Sequence, residues 1–178
     1  IHFFRLLRYA GFGSLRFGVD GWSEHTLKLQ KKGYTMDIVS QNLRDCSLAG
    51  IHVSVNIVVG VPGETEQDID ESINNIISNA NNINMVENIH TLILGHGSNY
   101  YNEPEKYMIK FKNNKFDLYD KYPGHIPYEH WYSECPFIDQ KIRIERMNRI
   151  YRAIVDAGIA VGGYANSVVE KTQMGIEL

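Results

Sequence analysis

The sequence predicts an α/β fold of parallel strands with helices on one side, followed by a C-terminal extension. Three observations carry this prediction. The hydrophobic period switches repeatedly between about 3.6 and about 2 residues, as it does when helices and strands alternate along a chain. Three junctions, Tyr9-Ala10-Gly11, Leu48-Ala49-Gly50 and Asp156-Ala157-Gly158, each end a helical pattern on a glycine and precede an extended apolar run. Two strands alternate between apolar and polar residues, so each has one greasy and one polar side. If helices cover the greasy side, the polar side faces either a wet interior lined for a ligand or solvent. An open sheet and a partly closed barrel both satisfy this pattern.

Each element follows in order. Residues 1–10 read as an amphipathic helix. In a strand at 14–20, Leu15, Phe17 and Val19 alternate with Ser14, Arg16, Gly18 and Asp20. A short helix at 23–31 leads to a second at 35–49, with Thr35 as its N-cap. A strand at 52–59 sets Val53, Val55, Ile57 and Val59 against His52, Ser54 and Asn56. The next helix, 65–80, opens on Thr65 with Asp68 three residues on, a variant of the capping box. Its apolar residues Ile69, Ile73, Ile76, Ile77 and Ala80 keep the spacing of one buried face. A strand at 87–94 follows, and then a segment of weak periodicity at 95–138. Asp139 caps a helix at 140–157, and a short strand, Ile159 to Val161, runs into Gly162-Gly163-Tyr164. The chain thus divides into an α/β unit at 1–95, a Tyr-rich insertion or lid at 96–138, and a helix-and-strand extension at 139–178.

Composition narrows the function classes. At 178 residues with 43% apolar and 22% charged side chains, the chain is an ordinary globular domain, which excludes disordered and collagen-like classes. A net charge of −3 carries no basic excess, so neither nucleic acid nor a membrane surface is an expected partner. Apolar runs such as Ile57 to Val59 fall far short of the roughly 20 residues that span a bilayer. Cys46 and Cys135 cannot form a disulfide framework, and a reducing cytoplasm is the expected compartment. The absence of an initiator Met leads to the expectation that the sequence is a piece of a longer protein.

The strongest local motif is Val58-Val59-Gly60-Val61-Pro62-Gly63-Glu64-Thr65, which links a strand to a helix. Glycines let backbone approach a ligand, and the helix N-terminus offers unpaired N–H groups. The Gly-Lys-Ser/Thr ending of a phosphate loop is absent. The motif stands in series with Leu15-Arg16-Phe17-Gly18-Val19-Asp20-Gly21-Trp22-Ser23, Leu27 to Thr35 with Lys31-Lys32-Gly33-Tyr34-Thr35, and Ala49-Gly50-Ile51. Together these segments resemble the radical S-adenosylmethionine superfamily over about residues 1–95. They are most similar to the branch that often carries an N-terminal cobalamin-binding domain.

The resemblance implies the C-terminal half of a partial triosephosphate-isomerase-type barrel, and the missing N-terminal half of the same chain as its partner. It implies that Gly60, Pro62 and Gly63 turn beside the adenosine of S-adenosylmethionine, with Gly18 and Asn56 as further cofactor-binding residues. Asp20 stands where the family usually has Glu or Gln, one methylene longer. Lys32 stands at a basic position that reaches the methionine carboxylate. It further implies a four-iron four-sulfur cluster in the parent, reductive cleavage of S-adenosylmethionine, and oxidoreductase or transferase chemistry with cobalamin as an optional cofactor. The substrate is unknown. The family's CxxxCxxC cluster loop is absent here, so this chain alone is expected to hold no cluster and to be catalytically silent. Two alternatives stand beside this one. One is a non-catalytic α/β module that binds an anion or nucleotide at the Pro62-Gly63 turn. The other is an unrelated barrel hydrolase acting through Asp20, Asn56 and His90.

Two further groupings read as structural. His125, Glu129, His130 and Glu134 match no standard zinc spacing, so no metal site is assigned. Arg143, Arg146, Arg149 and Arg152 recur every three residues, each step turning about 60°, and read as a solvated face with Glu145 paired to Arg149.

Overall fold

Side-chain caps set most of the helix starts. In the computed structural model, which describes residues 1–163, α1 (His2–Tyr9) leads into β1 (Ser14–Asp20). Helices α2 (Glu24–Leu29) and α3 (Met36–Leu48) cross to β2 (His52–Val59), and α4 (Glu66–Ser78) crosses to β3 (Met85–Thr91). Seven short elements follow: β4 (Leu94–Gly95), α5 (Asn99–Asn102), β5 (Ile109–Phe111), α6 (Lys115–Lys121), β6 (His125–Ile126), β7 (Trp131–Glu134) and β8 (Phe137–Ile138). The chain returns through α7 (Gln140–Asp156) to β9 (Ala160–Val161). Thr35, Thr65 and Asp139 cap their helices as the sequence predicts, accepting from the backbone N–H of Ile38, Asp68 and Ile142. Tyr164 and the rest of the C-terminal extension lie outside the described residues.

The main sheet has the order β1-β2-β3-β9, all parallel. The βαβ reading required this, because only parallel neighbours accommodate helical crossovers. The third strand starts at Met85 and ends at Thr91, ahead of the predicted 87–94. Val53, Val55, Ile57 and Val59 form one core with Val39, Leu43 and Cys46 of α3, Ile69 and Ile76 of α4, and Met147, Ile150 and Ile154 of α7. Helices therefore cover the apolar side of the sheet. Ile77, predicted on the buried stripe of α4, is 45% exposed. On the other side, Arg16 of β1 pairs with Glu87 of β3 at 3.0 Å, and Asn88 Nδ2 donates to Asn56 Oδ1 at 3.3 Å. The arrangement is an α/β sheet consistent with a partial barrel. Among the described residues no helix is long and apolar enough to cross a membrane.

Residues 94–138 carry more order than their weak periodicity suggests. Strand β4 pairs antiparallel with β6, and β5, β7 and β8 form a second antiparallel sheet. Leu94, Tyr101, Ile109, Leu118, Ile126 and Trp131 make a core of their own, with further tyrosines packed around it. Strands of two to four residues are too short for alternation to show, and each contributes only one or two buried side chains.

Candidate functional site

The carboxyl edge of the main sheet brings some of the sequence-predicted residues together. At the end of β1 a register shift places Asp20 opposite Ile57, and Asp20 adopts a left-handed φ of 60°. An Asp tolerates that conformation better than most residues. Its carboxylate pairs with the Lys32 ammonium, which also donates to the Gly18 carbonyl at 3.2 Å. Tyr34 Oη donates to the same carbonyl at 3.2 Å, and burial raises its phenol pKa. Gly18, Asp20 and Lys32 thus form one group. Asn56, next to Ile57, bonds the Asn88 side chain, while its backbone carbonyl accepts from the Trp22 indole at 3.3 Å.

The Gly60–Thr65 turn is built by backbone conformation and by one buried carboxylate. Gly60 and Gly63 take φ of +80° and +95°, which side chains resist. Pro62 sits buried between them. Glu64, 2% exposed, reaches back to accept from the Gly60 N–H at 2.8 Å, closing the turn on itself. Burial pushes its carboxyl up to about 7, against the opposing pull of the Gly60 N–H and of Arg146. Arg146 donates to the Glu64 carbonyl at 3.1 Å and to its carboxylate at 3.2 Å.

The space beside each glycine is taken by protein. A Cβ on Gly60 would stand 2.4 Å from Arg143 Cγ, and one on Gly63 would stand 2.9 Å from Leu29 Cδ2. Arg143 itself is fully buried. It donates from Nε to the Gly60 carbonyl and from Nη1 to the Trp131 carbonyl, each at 3.3 Å, and its guanidinium lies 3.5 Å over the Trp131 ring. Burial lowers its pKa to about 9, leaving it charged at neutral pH.

This corrects the solvated-face reading for Arg143, Arg146 and Arg149, while Arg152 is exposed as that reading has it. Arg143 is 0% and Arg146 4% exposed, and Arg146 and Arg149 both bond Glu66, with Arg149 also on Asp70 at 2.5 Å. Glu145 lies near Lys141, at 4.0 Å, instead of pairing with Arg149. The α4 N-terminus offered the cations carboxylates and carbonyls at matching positions, which a helix read alone does not reveal. One signal was present: Arg143 continues the four-three spacing of Met147, Ile150 and Ile154, the buried stripe of α7.

Asp68 is a second residue that pattern reading understated. Besides capping α4, it accepts from Ser23 Oγ at 2.7 Å and from His25 Nδ1 at 2.9 Å. The first turns of α2 and α4 are thereby joined beneath the edge. Burial would raise its pKa, but the bonds from His25, Ser23 and Thr65 outweigh that and hold the carboxyl below its ordinary range.

The remaining candidates are dispersed. His90 Nδ1 bonds the Thr91 carbonyl at 3.0 Å. His130 bonds the Tyr122 hydroxyl at 3.1 Å, and Glu134 faces Lys110 at 3.7 Å. Cys46 is buried in the main core and Cys135 is exposed. Among the described residues no group of three or more His, Cys, Asp or Glu side chains could hold a metal ion.

No curated protein matches the chain. Residues 1–76, which run from α1 into α4 and include every residue of the Gly18-to-Gly63 set, match the family model of the Radical SAM superfamily.

Proposed function

We propose that this chain is part of a radical S-adenosylmethionine enzyme, contributing the C-terminal half of the barrel and a capping module. The observation that carries this reading is the coincidence of the family match with the carboxyl-edge residues of the sheet. Parallel α/β folds bind ligands at that edge.

The residues present fit S-adenosylmethionine in their donor chemistry. Lys32 and Asp20 put one cation and one carboxylate side by side, complementary to the zwitterionic amino-acid end of the cofactor. Lys32 would hold the carboxylate, and Asp20 the ammonium, directly or through a water. Gly60, Pro62 and Gly63 would line the adenosine end, Gly60 with its own N–H and carbonyl already bonded to Glu64 and Arg143. Their Cβ spaces belong to Arg143 and Leu29, so these glycines serve by fixing the shape of the turn. When bound, S-adenosylmethionine would supply the reactive group after one-electron reduction. The chain's own residues bind and orient it, and the apolar packing around Trp22, Val59 and Val61 keeps water from the turn.

The iron–sulfur cluster does not fit. A cluster of this kind needs three thiolates at one corner, whereas this chain has one cysteine within α3 and one exposed in the 94–138 module. On this reading the cluster ligands, and any cobalamin-binding domain, belong to other parts of the parent, and this chain alone does not cleave the cofactor.

Two tests decide. The coding sequence upstream of Ile1 is expected to specify CxxxCxxC, and a parent without that triad overturns the reading. In the full-length parent, Asp20→Ala and Lys32→Ala are each expected to weaken S-adenosylmethionine binding about tenfold, the loss of one charge-assisted hydrogen bond. Gly63→Val should weaken it more, since its side chain would meet Leu29. Unchanged affinity in all three, by calorimetry on folded protein, removes the cofactor from this edge.

A further inference from the structure

Gly60 has neither of its backbone polar groups free. Its N–H donates to Glu64 Oε2 at 2.8 Å, and its carbonyl accepts from Arg143 Nε at 3.3 Å. We propose that Glu64 is a positioning residue for the carboxyl edge: its carboxylate holds the Gly60 peptide in the shape that receives S-adenosylmethionine, so that affinity for the cofactor follows the charge of Glu64. The inference rests on S-adenosylmethionine occupying that edge. It also gives α7 a part in binding, since Arg143 and Arg146 lie beyond residue 76, where the family match ends.

The geometry comes first. Gly60 and Gly63, at φ +80° and +95°, belong to a turn whose glycines leave many other shapes open to it. The Glu64 N–H closes the turn once, on the Val61 carbonyl at 2.9 Å, and the Glu64 carboxylate closes it again on the Gly60 N–H. Gly60 is buried, so without that carboxylate its N–H would lack an acceptor. A turn already fixed loses less freedom when a ligand arrives, and a residue that never touches the ligand sets affinity in this way.

The charges around Glu64 come from two helices. Arg146 of α7 donates to the same Oε2 at 3.2 Å, and Arg143 is a second cation close by. Asp68 of α4 acts on Glu64 as a like charge, and Glu66 draws on Arg146 from its other side at 2.7 Å. Leu29 of α2, which meets the turn at Gly63, is apolar. Burial outweighs the cations and pushes the Glu64 carboxyl up to about 7, so its charge changes near neutrality. A hydrogen bond to an ionised acceptor is roughly twice as strong as one to a neutral acceptor. Because a single oxygen takes both N–H groups, loss of its charge weakens both bonds together. A buried ion pair is a poor source of stability, whereas a titratable group of shifted pKa at a ligand edge is a mark of function.

Two measurements test this. In the chain itself, the Gly60 amide NMR resonance should titrate with a midpoint of about 7. Glu64→Gln, which keeps an acceptor oxygen but carries no charge, should abolish that titration. A Gly60 amide unmoved from about pH 5.5 to about pH 8.5 overturns the inference without reference to any cofactor. In the full-length parent, calorimetry gives the affinity of wild type for S-adenosylmethionine relative to Glu64→Gln, a ratio in which the ligand's own titration cancels. The ratio should rise roughly threefold from about pH 6 to about pH 8, the visible part of a roughly fivefold preference for the ionised turn. A ratio equal at both pH values overturns the inference; if Lys32→Ala still weakens binding, the cofactor stays at this edge. Should Glu64→Gln not fold, saturating S-adenosylmethionine should lower the wild-type Gly60 midpoint by about 0.7 pH unit, the same preference read from the proton's side. A midpoint that stays in place then overturns it. Binding untouched by Asp20→Ala, Lys32→Ala and Gly63→Val removes the cofactor from the edge, and the inference with it.

Discussion

Gly60→Ala tests how α7 is seated on the Gly60 turn. The added Cβ would stand 2.4 Å from Arg143 Cγ and 2.8 Å from its Cδ, on a backbone already at φ +80°. A side chain in the left-handed region costs about 1–2 kcal/mol, and forcing atoms into a packed site typically costs about 1–3 kcal/mol more. The single variant should therefore lose about 2–5 kcal/mol. Arg143→Ala removes the stem that clashes, together with the stacking on Trp131 and the bonds to the Gly60 and Trp131 carbonyls. It should cost about 2–4 kcal/mol by the usual large-to-small scale. With both changes the clash vanishes, so of the Gly60→Ala penalty only the backbone strain is added to the loss of the Arg143 contacts. The double variant should thus be less destabilised than the sum of the two by about 1–3 kcal/mol. Gly60→Ala with Arg143→Lys is the control, since lysine keeps Cγ and Cδ and should keep the clash. Equilibrium unfolding in guanidinium at pH 7, followed by far-UV circular dichroism with the denaturant slope checked for constancy, supplies the numbers. Additivity within about 0.5 kcal/mol would refute the seating of Arg143 against Gly60.

Two further outcomes follow from the same packing. Asp68→Asn should cost about 1–3 kcal/mol at pH 7, because a carboxylate that serves Thr65, Ser23 and His25 is replaced by an amide. The folded pKa of Asp68 lies below 3.8, so its contribution is present above that value and fades as pH falls through the folded pKa. The stability curve of the variant should accordingly be flatter on the acid side, and parallel curves would contradict the network. With a thiol-specific reagent, exposed Cys135 should react at once. Cys46, buried and with its thiol pKa raised by burial, should react only as fast as the chain unfolds. Equal immediate reaction of both would contradict the packing of α3 on the sheet.

Local chemistry was legible wherever one element decides the outcome alone. Thr65 with Asp68, Thr35 and Asp139 announce helix starts because a side-chain oxygen two or three residues from an unpaired N–H has one obvious use. Strands 14–20 and 52–59 show their faces because alternation with period 2 is imposed by the pleat itself. The Gly60–Thr65 motif was visible in the sequence too, since φ above zero and close approach both demand glycine.

What filled the glycine spaces could be settled only by folding. Arg143 lies 83 residues from Gly60, and no periodicity within either segment pairs them. Read alone, an arginine every three residues on α7 is a solvated face. In the fold Arg143 is buried against the Gly60 turn, and Arg146 and Arg149 are held by Glu64, Glu66 and Asp70, while Arg152 stays exposed. The module at 94–138 escaped pattern reading for the opposite reason: each strand is too short to repeat, and its core exists only when six separate segments meet. The sequence by itself therefore determined the helix caps, the alternating strand faces and the glycine turn, because those are settled by neighbours along the chain. Tertiary structure decided which charges are buried, because burial depends on residues brought together from distant parts of the chain.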